Sequence, residues 1–406
     1  RPPPAVDHRR LQEGPHHMRT RPIIASALLL GLTAAACASD SSTGAPTATE
    51  LPATESAPPP TDLTDAEPTD TEPATDQPAE PRITITLVTY DSFPEADTSI
   101  NAALDAFTEQ TAIGVELLVA GDTGTMLSKA ALTVGNPEGD VMWGIDNTFL
   151  SRALQDGIFE LGVLADPENV PAEFLALVPN GEALPVDFGD VCVNYDIGYF
   201  VENELAVPTS LQDLADPAYR DLLVVQNPAT SSPGLAFLLA SIDEFGADGW
   251  QAYWQQLKDN GVQVVDGWTD AYYGSFTWAG GGDRPLVVSY GSSPPAEVIF
   301  ADPPRDDSPT GVIESTCFRQ IEFAGVLAGT DHPDEAAELV RFLGSEQFQA
   351  ELALNLFVYP ANSAVALPQE FNDFAVVPET SRTLDPDLID ENRSDWIDEW
   401  STLVLG

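Results

Sequence analysis

The chain of 406 residues is about three times the length of a typical domain, which predicts two domains plus additional segments. It carries 16 Lys and Arg against 65 Asp and Glu, a formal net charge of −49. A field of that sign repels phosphate backbones and anionic membrane surfaces, so the composition excludes a nucleic-acid-binding protein. The hydrophobic content of 43% suffices for sizeable cores, and three cysteines are too few for a disulfide scaffold.

The N-terminal part predicts a leader followed by an export signal. The first methionine is Met18, so residues 1–17 are expected to be a non-native leader. Residues 18–36 contain two arginines, an apolar run too short to span a bilayer and three consecutive alanines at 34–36, the pattern of a secretory signal peptide. Cys37 follows the alanines directly, which resembles the bacterial lipobox and predicts a diacylated cysteine. An ordinary signal peptide with an incidental cysteine is the alternative.

Residues 37–81 are expected to form a disordered tether that starts at the lipidated cysteine. After Cys37 this segment contains ten acidic residues and nine prolines, and it has no basic or aromatic residue. Such a composition offers nothing to bury and repels itself, so it stays extended and solvated. We therefore expect an extracytoplasmic protein that is held at the cell membrane through a lipid.

Strand and helix signals alternate from residue 82 onward. The apolar pattern predicts a helical face at Ile100, Ala103, Leu104 and Phe107. Predicted strands cover residues 83–88, 114–119, 141–145, 222–225, 262–265 and 286–289. Two further predicted helices cover residues 126–134 and 148–155. Another begins at residue 234, and a fourth, after the strand at 262–265, runs through residue 272. Repeated strand–helix units indicate an α/β fold with parallel sheets.

Polar or aromatic clusters follow all six predicted strands. Ligands of parallel sheets bind at the carboxyl ends of strands, so these clusters predict one shared binding cleft. Small hydroxyl and glycine residues at helix N-termini suit an anion, and aromatic faces suit a ring or a cation. The clusters are residues 89–93, 121–124, 146–147, 227–234, 266–268 and 290–294.

Five of these segments, taken in order, resemble the thiamine-binding solute receptors of bacterial ABC importers. The segments read TYDSF at 89–93, GIDN at 144–147, QNPATSSPG at 226–234, GWTDAY at 267–272 and LVVSY at 286–290. The resemblance extends over nearly all of residues 83–402. It implies a two-lobed periplasmic binding protein-like fold of type II, with parallel-type sheets in each lobe joined by two crossing strands. Residues 82–187 and 320–406 would form one lobe, and residues 188–319 the other.

The resemblance also implies the function and the site. The family captures thiamine, thiamine monophosphate or thiamine diphosphate between its lobes and passes it to a permease with an ATPase subunit. We expect a monomer that needs no cofactor and no metal. The implied or candidate ligand contacts are Tyr90, Asp91, Thr123, Gly124, Asp146, Ser231, Ser232, Trp268, Tyr290, Gly291, Ser292 and Ser293. Asp91 and Asp146 are alternatively helix caps.

Two aromatic residues of the family are replaced in this chain. Residues 94–96, which include Glu95, stand where some members have Trp, and Ala296 stands where another aromatic is expected. Cys192 and Cys317 fall in the two segments that are expected to cross between the lobes. An oxidising compartment would allow a disulfide there, and two buried free thiols are the alternative.

Two other functions remain open at this stage. A receptor for another small cation, such as a polyamine, would use the same acidic and aromatic residues. A secreted hydrolase that works with carboxylates is the alternative from another class. No Gly-x-Ser-x-Gly, His-Glu-x-x-His or P-loop motif is present, and His332 is the one histidine after residue 81. The sequence thus favours a binding protein over an enzyme.

Overall fold

A computed structural model describes residues 81–162, 167 and 169–406 of the chain. The predicted leader, signal peptide, lipidated Cys37 and tether lie outside the described residues. The described part contains nine strands, which form one sheet in the order β2-β1-β3-β8-β4-β7-β5-β6, with β9 paired to β4. The strands are β1 (Ile83–Thr89), β2 (Ile113–Val119), β3 (Val141–Asp146), β4 (Leu184–Asp196), β5 (Leu223–Gln226), β6 (Gln263–Val265), β7 (Leu286–Tyr290), β8 (Thr310–Val326) and β9 (Tyr359–Pro360).

The sheet has two parallel parts with an antiparallel centre. Strand β1 pairs in parallel with β2 and β3, and β5 pairs in parallel with β6 and β7. The long strands β4 and β8 pair antiparallel with each other, β8 also with β3 and β4 also with β7. The α/β fold with two parallel parts and two joining strands is therefore confirmed. The predicted lobe boundaries stay a prediction.

Helices connect the strands. They are α1 (Ser99–Thr111), α2 (Thr123–Leu132), α3 (Leu150–Gln155), α4 (Ala172–Leu175), α5 (Ile197–Glu202), α6 (Ser232–Phe245), α7 (Trp250–Asp259), α8 (Thr277–Gly280), α9 (Pro294–Ile299), α10 (Pro333–Leu343), α11 (Glu346–Gln349), α12 (Leu352–Asn355), α13 (Gln369–Phe374) and α14 (Pro386–Val404). Short 3₁₀ turns cover Asp213–Ala215 and Pro217–Tyr219, and a π-helical turn covers Asp270–Ser275. No helix in this part of the chain has the length and hydropathy that crossing a bilayer requires.

The apolar pattern explains how the helices pack. Helix α1 buries Ile100, Ala103, Leu104 and Phe107, the four residues of the predicted face, because their spacing puts them on one side of the helix. Helix α6 is apolar over most of its surface, and every residue from Ser232 to Ile242 is buried. Its burial beneath the sheet fixes its N-terminus at the carboxyl end of β5.

A disulfide joins the two central strands. Cys192 lies in β4 and Cys317 in β8, and the structure has their sulfur atoms bonded across a sequence separation of 125 residues. Both cysteines are buried, at 1% exposure each. The predicted crossing segments thus run side by side as neighbouring strands.

Candidate functional site

A cavity of about 370 Å³ opens at the carboxyl ends of β1, β5 and β7. This volume is in the range of small-molecule binding sites. The lining combines aromatic rings, hydroxyl groups and carboxyl groups, and it contains no Lys, Arg or His. The lining residues are Tyr90, Asp91, Ser92, Asp122, Thr123, Ser232, Pro233, Trp268, Thr269, Tyr272, Tyr273, Tyr290, Ser293, Ala296, Phe300, Glu322, Asn355, Leu356, Phe357 and Val358.

Trp268 forms a flat wall of the cavity. Its ring stacks on Tyr272, with ring centroids 4.9 Å apart and an angle of 15° between the planes. Its indole Nε1 donates a hydrogen bond of 2.9 Å to Oγ of Ser289 on β7. Stacking and hydrogen bonding together hold the exposed face of the indole in a single orientation.

Tyr90 covers the bulge in the neighbouring strand. Gly144 in β3 has φ of +117°, and a Cβ there would lie 2.4 Å from Cδ1 of Tyr90. Only glycine therefore allows the Tyr90 ring to lie against the strand at this point. Tyr290, at the end of β7, also lines the cavity, and burial raises the pKa of both tyrosines well above its usual range.

Two aspartates bring negative charge to the cavity rim. Asp122 caps α2 by accepting a hydrogen bond of 2.8 Å from the amide of Thr123, and its other oxygen accepts one of 3.2 Å from the amide of Trp268. Enclosure of the carboxyl group, with Asp91 nearby, raises the pKa of Asp122 to about 7. Burial and the charge of Asp270 also raise the pKa of Asp91.

Glu322 brings a third carboxyl group to the cavity, from the C-terminal part of β8. The residue is 7% exposed, and its Oε1 accepts a hydrogen bond of 2.6 Å from Nε2 of Gln320. Its Oε2 has no hydrogen-bond partner within the described residues. Burial is the main cause that raises the pKa of the Glu322 carboxyl group well above its ordinary range, and the negative charge of Asp187 is the second.

The N-terminus of α6 supplies hydroxyl groups. Ser232 lines the cavity and Ser231 is buried beside it. Both hydroxyl groups lie next to buried carboxyl groups: hydrogen bonding from Ser231 lowers the pKa of Asp122 and hydrogen bonding from Ser232 lowers the pKa of Asp146, although burial raises both pKa values overall. Helix α6 is 14 residues long, so its first amides carry the positive end of a full helix dipole. This end of the cavity is suited to an anionic group.

Gly124 brings two backbones into contact beside the cavity. Its amide donates a hydrogen bond of 2.8 Å to the carbonyl oxygen of Thr230, so it is not available to a ligand. A Cβ on Gly124 would lie 2.4 Å from the carbonyl oxygen of Ala229. Thr123 donates from Oγ1 to the carbonyl oxygen of Gly144 over 2.9 Å. Neither the amide of Gly124 nor the hydroxyl group of Thr123 is therefore free to donate a hydrogen bond to a ligand.

Seven of the twelve predicted site residues line the cavity. They are Tyr90, Asp91, Thr123, Ser232, Trp268, Tyr290 and Ser293. Gly124, Asp146, Ser231, Gly291 and Ser292 do not line it. Asp146 is fully buried and accepts a hydrogen bond of 2.6 Å from the amide of Thr148, in the turn before α3. The N-cap of α3 is Phe149, so Asp146 does not cap that helix.

The last two residues outside the cavity lie just behind its wall. Gly291 makes backbone hydrogen bonds of 2.8 Å to Asp190 and Val376, which occupy both its amide and its carbonyl group. Ser292 is fully buried. Gly291 therefore holds the turn after β7, and neither residue lines the cavity.

Phe300 and Phe357 are lining residues that the sequence analysis missed. Their ring centroids are 5.9 Å apart in an edge-to-face arrangement at the cavity mouth. Phe300 follows Ala296 by four residues, so helical spacing puts both on the same side of α9 and its end. That spacing is the signal that would have identified Phe300 as the aromatic residue nearest to the replaced position. Glu322 was missed because it lies in a crossing strand and not at a strand end.

This chain is similar in sequence to known bacterial binding proteins. Residues 137–392 match the family model described as bacterial extracellular solute-binding protein. A thiamine-binding periplasmic protein of Escherichia coli is 30% identical over 322 residues, which are 79% of this chain and 93% of that protein. A thiamine-binding periplasmic protein of Salmonella typhimurium is 30% identical over 80% of this chain and 95% of its own length.

Solved structures agree with the sheet topology. A periplasmic thiamin binding protein superposes with a TM-score of 0.67 at 28% identity, covering 79% of this chain and 96% of that one. A ferric binding protein of Bordetella, at 18% identity and a TM-score of 0.55, shares the fold alone. The type II two-lobed periplasmic binding protein fold is thereby confirmed. The chain belongs to the family of bacterial extracellular solute-binding proteins.

Proposed function

We propose that this chain is an extracytoplasmic receptor that captures thiamine or its phosphates and delivers the ligand to the permease and ATPase of an ABC importer. The observation that carries the proposal is the cavity lining, which combines aromatic faces with three carboxyl groups and has no basic side chain. The thiamine-binding names of the relatives support the same ligand.

The ligand chemistry matches this lining. Thiamine joins a flat aminopyrimidine to a permanently cationic thiazolium ring. Trp268, Tyr90 and Tyr290 offer aromatic faces, and a cation over such a face gains roughly 0.5–2 kcal/mol when water is excluded. The carboxyl groups of Asp91, Asp122 and Glu322 supply charge of the opposite sign.

The phosphate esters would use the side of the cavity at the start of α6. Ser232 lines the cavity at this end, and Ser231 lies buried beside it at the start of α6. A helix N-terminus stabilises a phosphate without Lys or Arg, and none lines this cavity. This arrangement supports binding of the mono- and diphosphate as well as free thiamine.

We propose that ligand binding closes two lobes, residues 82–187 with 320–406 and residues 188–319. Two hydrogen bonds join residues of the proposed lobes at the cavity edge: the amide of Gly124 donates to the carbonyl oxygen of Thr230 over 2.8 Å, and the amide of Trp268 donates to the carboxyl group of Asp122 over 3.2 Å. Such contacts would form on closure and hold the ligand until the importer opens the receptor.

The proposed receptor is a monomer that is tethered through Cys37. Two acyl chains on one cysteine give stable membrane retention, where a single chain is marginal. Cys37→Ser should therefore release the protein into the medium. A Cys37→Ser protein that stays in the membrane fraction would show that this cysteine is not the anchor.

Native mass spectrometry of the purified protein tests the proposed ligand. We expect an added mass equal to that of thiamine or one of its phosphates, and we expect the same compound to be recovered unchanged after denaturation. A polyamine mass would favour the alternative cation receptor, because an acidic cavity attracts both ligands. Recovery of a chemically altered compound would contradict a receptor that only binds.

A further inference from the structure

Three carboxyl groups lie in a row across the centre of the sheet. In the ladder, Glu322 of β8 is paired with Asp146 of β3 on one side and with Asp187 of β4 on the other. Residues paired directly across antiparallel strands point to the same face, with Cβ atoms about 5 Å apart. Since Glu322 lines the cavity, this row, here called the carboxyl row, lies directly behind the cavity wall.

The carboxyl row is only half satisfied by its surroundings. Asp187 accepts a hydrogen bond of 3.0 Å from Nε1 of Trp143, and Glu322 accepts the one from Gln320. One oxygen of each member has no partner within residues 81–162, 167 and 169–406. These atoms are Oδ2 of Asp146, Oδ1 of Asp187 and Oε2 of Glu322.

The carboxyl row has no ion-pair partner within the described residues. The ion pairs among the described residues involve none of its three members. Arg393 is the cation whose field reaches Asp146, but its guanidinium lies over the ring of Phe149, 5.6 Å from the centroid. In the same part of the chain, no group of three or more His, Cys, Asp or Glu residues is arranged to hold a metal ion.

Apart from Arg393, the groups described around the carboxyl row are acidic or neutral. Asp122 faces Glu322 from the start of α2, Tyr90 from the end of β1 and Tyr290 from the end of β7. Three buried carboxylates at this spacing repel one another, so they do not all ionise in an empty cavity. Burial raises the pKa of Asp187 to about 7 and that of Asp146 above its ordinary value.

We propose that Glu322 is the residue that selects a cationic ligand, and that the cation displaces a proton from the carboxyl row when it enters. The proposal rests on the proposed function, because thiamine supplies the fixed positive charge. One carboxyl O–H bond breaks, its proton passes to solvent, and the remaining carboxylate pairs with the ligand cation. A neutral molecule of the same shape brings no charge to replace that proton.

The linkage has a definite sign. Ligand binding requires the deprotonated row, so affinity increases as the pH rises toward the pKa of the row and levels off above it. For one proton released, the limiting slope is about tenfold in affinity per pH unit. The thiazolium charge does not depend on pH, so the slope belongs to the protein.

Titration calorimetry of the ligand-stripped protein in two buffers of different ionisation enthalpy tests the proposal. At about pH 6, below the value of about 7 to which burial raises the pKa of Asp187, we expect thiamine binding to release roughly one proton, and we expect the release to decline at higher pH. The neutral aminopyrimidine half of thiamine should bind without proton release. Thiamine binding with no buffer dependence would overturn the proposal while leaving the proposed function intact. Absence of thiamine binding at every pH would contradict both.

A pair of variants locates the effect. Glu322→Gln keeps the shape but removes the charge, and it should abolish proton release and weaken thiamine binding at least tenfold at about pH 8. Glu182→Gln is the matched control, because Glu182 is equally buried, at 6% exposure, and lies outside the cavity lining. If Glu322→Gln released the same proton as the natural protein, Glu322 would not be the selecting residue. The two-buffer measurement on the natural protein decides the linkage itself, even where a variant fails to fold.

Discussion

Trp268 owes its orientation to three neighbours. It stacks on Tyr272, donates to Ser289 and is joined through its amide to Asp122. Because the ring is held before any ligand arrives, little conformational entropy is lost on binding. The indole face is therefore the aromatic surface from which we expect the largest contribution.

Replacing Trp268 tests that contribution. Trp268→Ala removes both stacking area and cation–π attraction, and we expect thiamine binding to weaken about ten- to a hundredfold, each tenfold being roughly 1.4 kcal/mol. Trp278→Ala is the control, since Trp278 is 37% exposed and lies outside the lining. Equal losses in the two variants would mean that Trp268 acts through stability alone.

The serine pair at α6 predicts a distinction among ligands. Ser231→Ala combined with Ser232→Ala removes the hydroxyl group that lines the cavity at the start of α6 and the one buried beside it. Affinity for the monophosphate and diphosphate should therefore fall more than affinity for free thiamine, by about 0.5–1.5 kcal/mol for each lost hydrogen bond. Competition binding with the three compounds measures this difference. An equal loss of affinity for all three would show that the phosphate binds elsewhere.

Part of this site is readable from the sequence because strand ends converge in space. Tyr90, Trp268 and Tyr290 follow three predicted strands and line one cavity. Phe357 comes from the chain after α12, and its approach to Phe300 depends on tertiary packing that no local pattern encodes. Glu322 is hidden for a different reason, since a single acid within a long strand has the same local pattern as a solvent-facing residue.

At the scale of elements, the start of α2 touches the segment before α6. Gly124→Ala would put a methyl group against the carbonyl oxygen of Ala229, and overpacking of this kind costs about 1–3 kcal/mol. We expect weaker ligand binding, about ten- to a hundredfold, with a smaller effect on the ligand-free protein. Gly274→Ala is the control, because a Cβ there meets nothing within 4 Å. Calorimetry that found Gly124→Ala unimpaired would argue against closure at this contact.

The pairing of β4 with β8 predicts a stabilising cross-link. The bond between Cys192 and Cys317 encloses a separation of 125 residues, for which the chain-entropy model gives up to about 4–5 kcal/mol. Reduction of the disulfide should lower the free energy of unfolding without changing the amount of ligand bound at saturation. Mass analysis of peptides that were not reduced is the direct test, and two alkylatable thiols would refute the cross-link.

The elements themselves were predictable to different degrees. Strand β1 and the buried face of α1 follow from periods of 2 and 3.6, which local apolar patterns record. Strands β4 and β8 have buried residues on both faces and include acids such as Asp187, so neither alternation nor a purely apolar run marks their bounds. Their antiparallel pairing joins the two parallel parts, a long-range property that short windows do not contain.

For the whole molecule, net charge and cavity charge have the same sign. The net charge of −49 produces a field that draws cations toward the protein, and the cavity concentrates that field on three carboxyl groups. Salt weakens the long-range part, since the Debye length falls from about 10 Å at 0.1 M to about 3 Å at 1 M. The buried carboxyl row is screened much less, so it, and not the surface, sets the selectivity for a cation.

Titration of the ligand-stripped protein with thiamine and with spermidine tests the central claim most directly. The account predicts one saturable thiamine site at concentrations well below millimolar, and no comparable binding of spermidine, because a flexible polyamine gains nothing from the ordered face of Trp268. The result that would contradict it is the reverse: spermidine binding, with no heat from thiamine or its two phosphates at millimolar concentration.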